Sequence, residues 1–155
     1  MTQRLAPPTM QGLEQLQVAV STRIFADKRR VFHALTIAEY FEAWMCFPDC
    51  REIDGIAVTQ SARDFLIELQ PSLLAHAGTK ILGAHLIREP NQIVFTWAKQ
   101  NGGPLMETTV CIHLEGSHRS TALNLSHMGF VDRKERVWHE DMWRASFEKL
   151  GHILQ

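Results

Sequence analysis

Cysteine is scarce in this 155-residue chain, with only Cys46, Cys50 and Cys111. So few thiols, odd in number, do not make a disulfide framework and fit a reducing, cytoplasmic setting. An excess of charge is also missing. Sixteen Lys and Arg against seventeen Asp and Glu leave a formal charge of -1, so no general field attracts nucleic acid or anionic lipid, and neither is expected as a partner. No apolar run approaches the roughly 18 residues of a membrane span. The first residues lack the apolar segment of a secretory signal.

What is present is ordinary globular composition, 45% hydrophobic and 21% charged, on a length that suits one domain. Residues 1–15, with Pro7, Pro8, Gly12 and several Gln, show no sustained period and read as a flexible lead-in to a single domain over 16–155. From Gln17 the pattern becomes strict alternation, with Val18, Val20, Thr22 and Ile24 on one face, which predicts a half-buried strand. Asp27 then reads as an N-cap for a short helix through Val31, Phe32 and Leu35, and a second short helix covers Ala38 to Trp44.

Further alternation marks strands at Phe65–Leu69, Ile93–Trp97, Thr108–Leu114 and Leu123–His127, Gly78–Arg88 reads as a strand with a less clear phase, and Asn101–Pro104 is a hairpin loop. Asp132, with Glu135 three positions on, predicts a capping box and a helix to about Ile153. At 100° per residue His139, Met142, Trp143, Ser146, Phe147, Leu150, Ile153 and Leu154 share an arc of about 140°. The mixed-sign run Arg133–Arg136 reads as the solvated first turn. The fold class is therefore α+β: a curved antiparallel sheet of six or seven strands around a long C-terminal helix, with two short helices after the first strand.

Several segments carry more than this pattern: the stretch Ala26–Thr36, Trp44–Met45, Ile93–Trp97, Leu123–Phe130, and His139 with Trp143, Phe147 and Leu150. In their order and spacing the chain resembles the SRPBCC superfamily (START-like, Bet v 1-like, helix-grip), and within it the group related to the activator of Hsp90 ATPase. The resemblance covers roughly residues 17–153. It departs at Val58–Arg63, where family members usually carry a Gly-Gly pair, so the connection from Phe47 to Gly78 is expected to be rearranged. The resemblance implies a helix-grip fold and leaves three activities open: ligand carrier, enzyme, and Hsp90 co-chaperone-like interaction module. A second copy of the chain and a chaperone stand beside a small apolar ligand as partners.

Function must come from the site, since this fold hosts many activities. Trp44, Phe65, Phe95, Trp97, Ile112, Leu125, Trp143, Phe147 and Leu150 fall on inward faces or at the helical cap and are the expected lining of a cavity between sheet and helix. His127, sharing a face with Leu123 and Leu125, and His139, central to the apolar arc, point into the same space. They are the candidate acid–base pair of a cyclase, dehydratase or hydrolase, because a neutral imidazole donates at one nitrogen and accepts at the other. Cys46 and Cys50 lack a second ligand pair at finger spacing, and no His-Glu-x-x-His segment exists, so no metal is expected. No cofactor is expected either. The leading expectation is binding of a small, largely apolar ligand.

Overall fold

The computed structural model describes residues 16–48, 56–69, 79–100 and 105–155. The lead-in 1–15, Cys50, Gly78 and the loop Asn101–Pro104 lie outside them. The first strand, β1 (Val18–Ile24), buries Val18, Val20 and Ile24. Asp27 then caps α1 (Lys28–Thr36) by accepting the Arg29 N–H. A 3-10 turn (Ala38–Tyr40) and the four-residue α2 (Phe41–Trp44) follow, so the expected second helix is two abutting turns. Six strands come next: β2 (Ile56–Ser61), β3 (Asp64–Leu69), β4 (Lys80–Glu89), β5 (Gln92–Gln100), β6 (Met106–Gly116) and β7 (Thr121–Met128). The chain closes with α3 (Arg133–Leu154).

The seven strands form one antiparallel sheet in the order β1-β7-β6-β5-β4-β3-β2. Consecutive antiparallel pairings build β2 to β7, and β7 comes back against β1 at the far edge, where Val20 sits opposite Leu125. One face of the sheet is apolar: Ile93, Phe95 and Trp97 of β5, Val110, Ile112 and Leu114 of β6, and Leu123 and Leu125 of β7 are all buried. Against it α3 lays His139, Met142, Trp143, Ser146, Phe147 and Leu150. This is the predicted grip.

The strand β2 falls where a rearranged connection was expected, and its residues are only partly covered. Its outer edge is held by the helical cap instead of a further strand. The Val58 N–H donates to Glu42 Oε1 at 2.8 Å, and Gln60 Oε1 accepts the Ala38 N–H at 3.0 Å.

Two expectations about α3 need correction. Asp132 does cap it, accepting the Lys134 N–H at 2.7 Å, but Glu135 does not complete a capping box. Its carboxylate binds Lys99 Nζ at 3.0 Å, because a buried ammonium on β5 competes more strongly for it than a backbone N–H. Arg133 and Lys134 of the first turn are exposed as expected, while the Glu135 and Arg136 side chains turn inward and are 29% and 19% exposed. At the other end Ile153 is 46% exposed, and it lines a hollow shared with α1 and α2 instead of packing under the sheet.

Candidate functional site

The alternation of β5, β6 and β7 aims Trp97, Thr108 and His127 inward, and the helical period of α3 brings His139 and Trp143 over them. The result is a continuous set of hydrogen bonds in an apolar layer. The Trp143 indole N–H donates to His127 Nδ1 at 3.0 Å. Thr108 Oγ1 lies 2.6 Å from His127 Nε2 and donates its own proton to the Trp97 carbonyl at 2.9 Å. With that hydroxyl proton committed, His127 must carry its proton on Nε2 and donate it to Thr108.

The second imidazole repeats the logic with the opposite tautomer. The Trp97 indole donates to His139 Nε2 at 3.0 Å, and His139 Nδ1 donates to the Glu135 carbonyl at 2.6 Å. The two imidazoles stand edge to face with centroids 5.0 Å apart. Both are fully buried, and burial is the main cause holding each below the ordinary imidazole value. His127 lies well below it, with His139 adding to the effect. His139 is lowered to about 3, the Glu135 carbonyl opposing the shift and the Lys99 charge adding to it. Protonating either ring would turn an N–H toward an indole N–H, so both are neutral at pH 7.

The structure therefore brings the predicted acid–base pair together and engages all four of its nitrogens. A base whose lone pair is held by an indole must break that bond before it can take a proton.

The expected lining residues converge as well. Trp97 and Trp143 lie 5.4 Å apart, Trp44 and Trp143 6.5 Å, Phe95 and Trp143 6.4 Å, and Trp143 and Phe147 5.7 Å. Phe65 meets Phe95 at 5.8 Å and Trp97 at 6.5 Å. Ile112, Leu125 and Leu150 are buried beside them. The rings are in mutual contact, so any occupant must part them. Among the described residues, two hollows lie outside this layer. One of about 660 Å³ sits beside the start of α1, between Lys28, Phe32, Pro90 and His118. The other, of about 290 Å³, runs between α1, α2 and the end of α3, and of the expected lining it includes Trp44 and Leu150.

Two inward polar residues went unnoticed in the sequence. Lys99 is 7% exposed, bound to Glu135 and seated 3.7 Å from the centre of the Trp138 ring. His85 is 1% exposed and faces Phe41, Phe65 and Phe95. Carrying the alternation two residues past Trp97, and two past Gly83, would have placed both inside. Among the described residues no group of three His, Cys, Asp or Glu is arranged to hold a metal ion. No helix among them is long and apolar enough to cross a membrane.

The family model described as Activator of Hsp90 ATPase homolog 1-like protein matches residues 26–155. No curated protein matches the chain. Similar solved structures include protein CV1439 from Chromobacterium violaceum, at TM-score 0.72 and 14% identity, covering 90% of this chain and 96% of that one. Protein MLL2253 from Mesorhizobium loti is 21% identical at TM-score 0.66, over 89% and 96% of the two chains. An Aha1 dimer from Colwellia psychrerythraea is 15% identical at TM-score 0.61, over 89% and 95%. At these identities the likeness shows the fold.

Proposed function

The chain belongs to the activator of Hsp90 ATPase homolog 1-like family, and from this we propose that it binds a small, largely apolar, ring-containing molecule between the sheet and α3. The observation that supports the reading is the convergence of aromatic side chains from three sources: Trp44 from α2, Phe65, Phe95 and Trp97 from the sheet, and Trp143 and Phe147 from α3. Flat faces and edges meeting in one layer suit a flat guest, because offset and edge-to-face ring pairs contribute about 0.5–1.5 kcal/mol beyond area burial. Buried polar groups in that layer would orient it.

The catalytic alternative draws less support, since His127 and His139 already use every ring nitrogen. An interaction module is favoured by a different observation: Leu82 and Leu86 of β4 are 42% and 52% exposed.

Thermal unfolding of the full chain against a panel of flat apolar compounds tests the reading, with an apolar dye as competitor. A rise in Tm that grows with ligand concentration, and displacement of the dye, are expected. No shift and no displacement at millimolar ligand would overturn it.

A further inference from the structure

The His85 imidazole has no hydrogen-bonding partner at either ring nitrogen among the described residues. It is nevertheless buried, with Phe65 at 5.4 Å, Phe95 at 5.5 Å and Phe41 at 6.5 Å between ring centres. Native proteins rarely leave a buried polar side chain so unanswered. The backbone groups that act on this ring are the carbonyls of Leu35 and Arg63, neither in hydrogen-bonding geometry. A carbonyl can accept the one N–H of a neutral imidazole, but it cannot fill the lone pair of the other nitrogen. The missing partner is a donor.

The same place has room for one ring, occupied by a side chain of the protein itself. Two residues before His85, on the same face of β4, stands Gly83. A Cβ there would lie 2.2 Å from Phe65 Cζ and 2.6 Å from Phe65 Cε2. The Phe65 ring thus rests in a slot that the neighbouring strand leaves free of side chains. Directly after His85 the pairing of β4 with β5 shifts register, an irregularity of the kind that re-aims side chains next to sites. If the Phe65 ring leaves the slot, it opens a space one ring in size, walled by Phe41, Phe95 and Trp97, with the imidazole as its polar group.

We propose that this slot binds a single-ring aromatic alcohol, which replaces the Phe65 ring against Gly83 and donates its hydroxyl proton in a hydrogen bond to His85. The inference rests on the interlayer reading above and specifies its ligand class. A carboxylate would offer no donor and would bury a charge. Toluene has the shape of phenol without its donor. Burial, with the Arg88 charge adding to it, lowers the basicity of His85, which keeps the lone pair available at neutral pH.

The probes are phenol and toluene, added separately to the full chain and followed by thermal unfolding and by the side-chain ¹⁵N resonances of labelled histidine. Phenol is expected to bind at least tenfold more tightly than toluene and to move a His85 nitrogen resonance. His85→Phe is expected to bring the two affinities together, and Phe65→Ala to tighten phenol binding by removing the competing ring. Equal affinities in the wild-type chain would overturn this site and leave the interlayer reading standing. Failure of both probes to bind a folded Phe65→Ala chain would overturn the site, and failure of the whole panel of flat compounds would remove the wider reading too. Free-state resonances showing both His85 nitrogens protonated, or a lone pair held by a trapped water that phenol does not displace, would also overturn it. If His85→Phe does not fold, the wild-type affinity ratio and nitrogen shift decide.

Discussion

A histidine that must stay neutral makes a protein sensitive to acid. His85, His127 and His139 all have imidazoles lowered from 6.5, His139 to about 3. In the unfolded chain they titrate at the ordinary value, so below it the unfolded state holds protons that the folded state refuses. The stability is complete above pH 6.5 and is lost as pH falls from there toward 3, at about 1.4 kcal/mol per pH unit for each proton. Urea midpoints at pH 7, 6 and 5 should fall in order, and His139→Gln should flatten the slope by close to one proton. An unchanged slope in that variant would contradict the assignment. The indole donors obey the same accounting. Trp143→Phe leaves His127 Nδ1 buried without its donor and should cost about 1–3 kcal/mol beyond the lost packing. A double-mutant cycle with His127→Leu should recover that part, because no orphan remains. Gly83→Ala should destabilise by about 1–3 kcal/mol, since the new Cβ would fall 2.4 Å from the Thr96 carbonyl oxygen, which is backbone and cannot swing away.

At the scale of the elements, α3 is tied to β5 by more than apolar contact. Lys99 reaches across to Glu135 and lies over Trp138, so Lys99→Met should lower stability by about 1–2 kcal/mol, measured by chemical unfolding, and less at high salt in the wild-type. The elements differ in how plainly the sequence announces them. Val18, Val20 and Ile24, or Ile93, Phe95 and Trp97, alternate because one face of each strand is dry, and their strands could be read directly. In β2 no such contrast exists, since Ile56, Val58 and Gln60 are all half-covered by the cap, and an edge strand without a dry face writes no period. The register shift after His85 similarly blurs β4. Of the site, His127 and His139 were legible because they interrupt apolar runs at inward positions. Their partners were not, for an indole-to-imidazole bond between residues 42 apart in sequence, as in Trp97 and His139, depends on the packing of helix on sheet. Lys99 and His85 were masked by their polarity, which reads as solvent exposure until a partner or a cage is seen.

For the molecule as a whole, α3 supplies Met142, Trp143, Phe147 and Leu150 to the hydrophobic core. Burying a large apolar side chain is worth about 1.5–3 kcal/mol against a total stability of about 5–15 kcal/mol. A fragment ending at Val131 should therefore show no cooperative unfolding transition by circular dichroism, and a sharp transition in it would refute the grip as the source of stability. The paired indoles and imidazoles also set a clock. The Nε1 protons of Trp97 and Trp143 are held by ring nitrogens in a layer without solvent contact, so neither can be swapped for deuterium by fraying of a turn or a loop. Both protons can leave only when helix and sheet separate, and their lifetimes in heavy water should match each other and the slowest amides of the central strands.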